Sequence, residues 1–133
     1  MRIAIILKTF PPDKIGGMET QTKQMGTELQ KRGNDITVFT KRFDDHDDSD
    51  VPYKVIRIPN WQYNLVVSDI TFLIFTLFAL FSRRGEFDVL QCMMFYPVGF
   101  LGYVANKLTG VPYFAWIRGG DYYLMNDVWW KRW

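Results

Sequence analysis

The hydrophobic residues of this chain follow two alternating patterns, short apolar runs and longer stretches with helical spacing. The first run, residues 3–7, is apolar at every position, as in a strand that is buried on both faces of a parallel sheet. Met18, Met25 and Leu29 then recur at helical spacing, and Gly33 follows as a predicted C-terminal cap. The chain is therefore predicted to begin with a buried strand followed by a helix.

The same alternation continues along the whole chain. Further strands are predicted at residues 35–40, 54–58, 87–92 and 112–117, and further helices at 65–81 and 98–108. Alternating strands and helices predict an α/β fold, a Rossmann-like doubly wound parallel sheet with helices on both faces. Ligands of such sheets bind beyond the carboxyl ends of the strands. Those ends are residues 8–17, residue 41 onward, 92–97 and 118–121.

Length and charge limit the classes of function. The 133 residues are enough for one domain with a core, and 16 Lys and Arg against 14 Asp and Glu give no strongly basic surface, so nucleic acid is not an expected partner. Cys92 is the single cysteine, which excludes an internal disulfide or a thiolate metal cage and favours a reducing compartment. The N-terminus shows no secretory signal pattern. We therefore expect a cytoplasmic domain without a resident cofactor.

The junction between the first strand and the first helix contains the most informative chemistry. Gly16 and Gly17 begin the helix, where backbone N–H groups lack partners and carry a partial positive charge. With Lys14, these glycines are predicted to bind a phosphate or an acceptor. The alternative is a simple flexible turn. Because no G-x-G-x-x-G pattern follows the first strand, a nicotinamide or flavin domain is the weaker α/β alternative.

Several segments form one ordered pattern along the chain. They are Pro11, Pro12, Gly16, Gly17 and Glu19; Arg32-Gly33; Phe87-Asp88-Val89; Leu108-Thr109-Gly110-Val111-Pro112; and Arg118-Gly119-Gly120-Asp121. Their order and approximate spacing resemble the N-terminal domain of GT-B fold glycosyltransferases of the family 4 type. The glycine pair and the Thr-Gly-Val-Pro segment are the more specific parts of this resemblance.

The resemblance implies a retaining transferase with two Rossmann-like lobes. It would transfer a hexose-type sugar from a nucleotide-sugar donor, bound mainly by the other lobe, to a glycan or lipid-linked acceptor bound mainly by this one. Residues 1–133 would then be the acceptor-side domain, truncated at its C-terminal end. The paired glutamates of the family's donor lobe do not occur in this sequence. We therefore expect the chain alone to be inactive.

The segment after the last predicted strand departs from the commoner family pattern. Arg118 stands where many members have histidine in a His-Gly-x-Asp segment, and arginine stays protonated at neutral pH. Its expected role is electrostatic, to hold an anionic acceptor or the departing diphosphate. The resemblance implies Arg118 and Asp121 as catalytic residues and Gly119 and Gly120 as binding residues. Alternatively, Asp121 only caps a following helix.

An acidic segment follows the second predicted strand. It contains Asp44, Asp45, His46, Asp47, Asp48 and Asp50. Because the ligand order and the glycine of an EF-hand are missing, we expect a solvated loop and no metal site. His46 is the only histidine, so no Ser-His-Asp or Cys-His arrangement is expected.

Residues 70–81 are apolar on nearly every side but shorter than the about 18 to 20 residues that span a bilayer. Arg83-Arg84 follow, and the aromatic and basic residues 129–133 end the chain in a composition found at membrane interfaces. Peripheral membrane contact is therefore one prediction, and packing in the core or under a second lobe is the other. The alternative class of function is a non-catalytic Rossmann-like module that recruits a partner or anchors an assembly at a membrane.

Overall fold

The computed structural model describes residues 1–12, 16–43 and 47–118. Strands and helices alternate in them, as the sequence predicts. The elements are β1 (Arg2–Ile6), α1 (Gly17–Lys31), β2 (Asp35–Lys41), β3 (Lys54–Ile58), α2 (Leu65–Ser82), β4 (Val89–Cys92), a kinked turn (Phe95–Gly99) in which Tyr96 is extended, α3 (Phe100–Thr109) and β5 (Tyr113–Ala115).

The five strands form one parallel sheet in the order β3-β2-β1-β4-β5. β1 is therefore central, and its Ile5 lies in register between Val38 of β2 and Gln91 of β4. From β1 the chain first adds strands on one side, β2 and β3, and then on the other side, β4 and β5. Such a reversal of strand order opens a crevice at the carboxyl edge of a sheet. The predicted doubly wound fold is confirmed.

Both faces of β1 are buried, which explains its unbroken apolar sequence. Ile3, Ile5 and Leu7 face a cluster that includes Met25 and Leu29 of α1. Ala4 and Ile6, whose side chains point to the opposite face of the sheet, pack in a second cluster that contains core residues of α2 and α3. Helix α1 thus covers one face of the sheet, and α2 with α3 covers the other.

Local signals fix several helix ends. The Asn64 side chain caps α2, because its Oδ1 accepts a hydrogen bond of 2.9 Å from the Val67 N–H. Gly110 ends α3 at φ +74°, a left-handed conformation that favours glycine. The predicted caps at Gly110 and, with φ +89°, at Gly33 therefore have the expected backbone geometry.

Some boundaries differ from the sequence prediction. The predicted strand 87–92 pairs only from Val89, because Phe87 instead enters the core below the sheet. The predicted strand 112–117 is shortened to Tyr113–Ala115, and a last bond of 3.0 Å from Trp116 N–H to the Cys92 carbonyl ends the ladder. Among the described residues, α2 is the one helix whose length and composition would suffice to cross a membrane.

Candidate functional site

The start of α1 lies at the carboxyl edge of the sheet, just beyond β1. Gly16 is the N-cap residue, and its carbonyl accepts the first helical hydrogen bond, 3.0 Å from Thr20 N–H. Gly17 is exposed, and a Cβ atom added to it would meet no atom within 4 Å. The described residues therefore leave space at the Cβ position of Gly17, at a helix start whose first-turn amides have no helical partner.

The space beside Gly16 is occupied by a carboxylate. A Cβ atom on Gly16 would lie 2.6 Å from Oε2 of Glu19, and Glu19 is only 3% exposed. Its other oxygen, Oε1, accepts a hydrogen bond of 2.6 Å from the Thr9 hydroxyl. Glu19 is the third residue of the helix, where a carboxylate can fold back over the N-cap. The two glycines thus have different environments: Gly16 makes room for Glu19, and Gly17 stays open.

Arg118 approaches α1 from the far end of the described chain. Its Nη1 donates a hydrogen bond of 2.8 Å to Oε1 of Gln21, and its guanidinium carbon lies 5.1 Å from the centre of the Trp116 ring. Trp116 itself packs against the cluster beneath α1. The guanidinium is therefore held beside the first turns of α1 by a hydrogen bond and a cation–π contact.

These two parts of the predicted site lie on the same rim. Gln21 is four residues after Gly17, so the two residues are neighbours on one face of α1, about 6 Å apart along its axis. Arg118, bonded to the Gln21 side chain, therefore lies beside the first two turns of α1. A fixed cation and a helix start next to each other can stabilise negative charge on a ligand.

Four other predicted site residues lie outside the described residues. They are Lys14, Gly119, Gly120 and Asp121. Asp44, Asp45 and His46 of the acidic segment, and the aromatic and basic residues 129–133, also lie outside. Their predicted roles stay predictions.

A polar cluster that sequence reasoning did not identify lies at the carboxyl ends of β1 and β2. Lys8 donates a hydrogen bond of 2.8 Å to Oδ2 of Asp69, and Lys41, which is only 4% exposed, bonds to Oδ1 of Asp69. Lys41 also donates to the Ser68 hydroxyl at 2.9 Å. The sequence contained one signal of this cluster, the lone Asp69 in the otherwise apolar α2. A charged group that becomes buried needs a partner of opposite charge.

The electrostatics of this cluster favour the ionised carboxylate. Burial raises the pKa of Asp69, but the hydrogen bonds from Lys41 and Lys8 lower it by more, so the pKa lies below its ordinary value. Two cations and one anion leave the cluster with a net positive charge. The cluster therefore contributes positive charge at the carboxyl edge of the sheet.

The acidic segment is joined to the loop after β1. The Arg57 guanidinium binds both oxygens of Asp48, at 2.7 and 3.2 Å, and donates a bond of 2.8 Å to the Pro11 carbonyl. Asp50 pairs with Lys23 of α1. Two described carboxylates of the segment are thus engaged in ion pairs, and the part of the chain that the structure describes contains no group of three or more potential metal ligands.

Comparison with known proteins shows what this chain is similar to. The sequence profile of a family described as Glycosyltransferase Family 4 matches residues 15–133. No curated protein matches the chain. Among the solved structures that match is WaaG, a glycosyltransferase involved in lipopolysaccharide biosynthesis, with a TM-score of 0.55 at 14% identity over 68% of this chain. The match spans 23% of the WaaG chain, and at this identity it shows the fold alone.

Proposed function

The chain belongs to glycosyltransferase family 4, and from that membership we propose that it forms the acceptor-side lobe of a nucleotide-sugar-dependent transferase. The enzyme transfers a hexose-type sugar, with retention of configuration, to a glycan or lipid-linked acceptor. The donor is bound mainly by a second lobe, and this lobe alone does not transfer sugar. The enzyme works on the cytoplasmic side, in agreement with a single cysteine that is buried.

One observation carries this proposal: Arg118 and the open start of α1 share one rim. In support, the hydrogen bond between Arg118 and Gln21 holds a permanent cation beside the first two turns of the helix that Gly17 begins. Both groups stabilise negative charge, and neither needs to change its protonation to do so. Such a rim suits a diphosphate that gains charge as it leaves.

The proposed mechanism on this lobe is electrostatic. Retaining transfer passes through a cationic sugar and an anionic leaving group, so fixed positive charge at the rim lowers the barrier. Arg118 supplies that charge, since an arginine cannot act as a base at neutral pH. The Glu19 carboxylate would repel an anion beside Gly16, so the anion contacts the Gly17 side, and Glu19 with Thr9 positions the loop. Asp121 positions the acceptor.

The first test measures sugar transfer by the chain joined to a donor-binding lobe of the same family. Removal of Arg118 is expected to lower turnover by about 10²-fold or more, the usual loss when a donor to developing charge is removed. Arg118→Ala and Arg118→Lys are compared with Arg32→Ala, which removes an exposed arginine from the other end of α1. Equal turnover in Arg118→Ala and Arg32→Ala would exclude Arg118 from the site.

The open side of α1 is tested in the same two-lobed protein. Gly17→Trp fills the space beside the amides and should lower turnover and raise the apparent KM for the donor, without loss of folding, because Gly17 is exposed. Wild-type kinetics in this variant would place the anion elsewhere. If no nucleotide sugar supports transfer but the chain still forms stable complexes with another protein, the alternative function, a non-catalytic recruitment module, is favoured over the transferase.

A further inference from the structure

The outer face of α2 is apolar and exposed along its whole length. We define its outer stripe as Val66, Ile70, Ile74, Phe78 and Phe81. Their exposed fractions are 67, 51, 58, 71 and 41%. A spacing of four and three residues places them on one side of the helix. Monomeric soluble proteins rarely leave a continuous apolar strip of this kind in water, so the outer stripe requires a covering environment.

The opposite face of α2 is part of the protein core. Phe72 and Leu80 are buried with exposures of 0 and 2% and pack with residues of the sheet and α3. Near the start of the helix, Asp69 is held by Lys8 and Lys41. If α2 crossed a bilayer, these contacts would all be lost. A surface that contacts only the outer stripe leaves these core contacts intact. The axis of α2 therefore has to lie parallel to the surface that covers the stripe.

Aromatic side chains mark one end of the outer stripe. Trp61 and Tyr63, just before α2, are 67 and 88% exposed. The backbone N–H of Trp61 donates a hydrogen bond of 3.0 Å to the Thr71 hydroxyl, so the segment that carries the indole is held beside the helix. Between Trp61 and the helix lies an apolar groove of about 360 Å³, which Ile70, Ile74 and Phe75 also line. Amphipathic aromatic rings at the edge of an apolar surface are typical of membrane interfaces.

The exposed charges beside the stripe are mainly basic. Arg83 and Arg84 follow α2; Arg83 pairs with Glu86 on the surface, and Arg84 lies over the Phe81 ring at 5.1 Å. On the neighbouring α3, Lys107 lies over the ring of Tyr103 at 5.6 Å. The charged groups of Arg84 and Lys107 are thus held over exposed aromatic rings, and both residues are exposed, so the charges can also contact lipid headgroups. The charge pattern therefore favours an anionic lipid surface.

A protein partner fits this face less well. Protein interfaces carry about one hydrogen bond per 100–200 Å² and a polar rim. The five side chains of the outer stripe contain no donor or acceptor. A donor lobe that closes on the carboxyl edge of the sheet would also leave the outer stripe exposed, because the stripe faces away from the sheet.

We infer that α2 lies flat in the surface of an anionic bilayer, with the outer stripe among the acyl chains near the headgroups and Arg84 and Lys107 at the phosphates. α2 begins beside Lys8 and Lys41 at the carboxyl edge, so this orientation brings the candidate site close to the membrane surface. The lipid contact itself does not rest on the proposed transfer activity.

Flotation of the full chain with vesicles tests the inference. Vesicles of phosphatidylcholine with phosphatidylglycerol should bind it, and Ile74→Gln with Phe78→Gln should weaken the partitioning by about tenfold or more, since two large apolar groups no longer leave water. The matched control, Phe114→Gln with Ile117→Gln, changes the same residue types at exposed positions near β5 and should bind like wild type. Equal loss in both pairs, or no flotation of the wild type, overturns the inference.

A second arm tests the charges. Arg84→Gln with Lys107→Gln should weaken binding to the anionic vesicles by about fivefold for each charge removed, and leave binding to pure phosphatidylcholine unchanged. Unchanged binding to the anionic vesicles would overturn the anionic part of the inference. If the wild type instead forms a dimer in solution that Ile74→Gln with Phe78→Gln dissociates, a second copy is the occupant and the bilayer is not.

Depth measurements distinguish a flat helix from a spanning one. Cys92 is buried, and burial raises its pKa to about 12, so a thiol reagent labels a cysteine introduced at position 66, 74 or 81 selectively. A flat helix places spin labels at all three positions at similar shallow depths. A label at 74 near the bilayer centre, with 66 and 81 at opposite surfaces, would overturn the inference.

Discussion

At the scale of single residues, the two adjacent glycines at the start of α1 have different roles. Gly16 leaves room for the Glu19 carboxylate, and the described residues leave the space at the Cβ position of Gly17 unoccupied. The backbone of Gly16, with φ −139° and ψ −177°, is an extended conformation that any residue can adopt. The requirement for glycine at position 16 is therefore one of space.

This difference gives a matched pair of substitutions. Gly16→Ala should lower the free energy of unfolding by about 1–2 kcal/mol, because the new methyl group displaces a buried carboxylate from its hydrogen bond with Thr9. Gly17→Ala should leave it unchanged or raise it by about 0.5 kcal/mol, since alanine favours the helix. Urea denaturation measures both. Equal effects would show that Glu19 is not fixed at Gly16.

The buried Lys41 allows a second test at this scale. Asp69→Asn leaves Lys41 without its anionic partner and should cost about 3 kcal/mol of unfolding free energy, as when one member of a buried ion pair is removed. The control, Asp50→Asn, breaks the more exposed pair with Lys23 and should cost less than about 1 kcal/mol. Chemical denaturation of the two variants decides between these outcomes.

The same pair predicts a pH dependence. The pKa of Asp69 is lowered in the folded state, so its contribution to stability is present above the ordinary aspartate pKa of about 4 and is lost as the pH falls through the lower folded value. The difference in unfolding free energy between the wild type and Asp69→Asn should therefore shrink as the pH falls below about 4. A stability difference that stays constant from neutral pH to below pH 4 would contradict this assignment.

At the scale of the elements, α3 approaches the sheet closely at one glycine. A Cβ atom on Gly102 would lie 2.6 Å from the Cys92 sulfur and 2.7 Å from the Tyr113 ring. Alanine normally stabilises a helix relative to glycine by about 1 kcal/mol. At Gly102 the methyl group of an alanine would overlap with β4 and β5, so this stabilisation is not expected there.

Gly102→Ala should therefore destabilise the protein, by about 1–3 kcal/mol, the usual cost of forcing an extra carbon into a packed core. Gly85→Ala is the control, because a Cβ atom there meets nothing within 4 Å. Thermal unfolding followed by circular dichroism measures both. A raised Tm for Gly102→Ala would mean that α3 can move away from the sheet.

Much of the fold could be predicted from sequence because its elements have strong local signals. The strand at 54–58 has the predicted bounds, and Asn64 and Gly110 act locally on the helices that they cap. The strand predicted at 87–92 was too long because Phe87 packs below the sheet, a tertiary effect that periodicity does not report. The apolar composition of α2 predicted a helix, but not which of its apolar faces the core would leave exposed.

The candidate site was less accessible to sequence reasoning. That the start of α1 and Arg118 lie on one rim follows from the rule that the carboxyl ends of parallel strands share an edge. The position of the Glu19 carboxylate and the pairing of Lys8 with Asp69 depend on side-chain packing between distant segments. A sequence indicates that a buried charge needs a partner, but does not identify the partner.

At the scale of the whole molecule, the two faces of the sheet are covered differently. Beyond its buried side, α1 is rich in polar residues such as Gln21 and Glu28, and the exposed face of α2 is apolar. The rim with Arg118 lies between these two sides, at the carboxyl edge. The two proposals thus place an anion-stabilising edge and a lipid-contacting face on one lobe, as a transferase that meets its acceptor at a membrane would need.

The central position of β1 has a consequence for biosynthesis. β1 hydrogen-bonds on one side to β4, whose residues are made more than eighty positions later. Until then β1 has at most one neighbour, and its apolar side chains stay partly unprotected. Because such non-local pairing forms slowly, the nascent chain should depend on holding chaperones during synthesis.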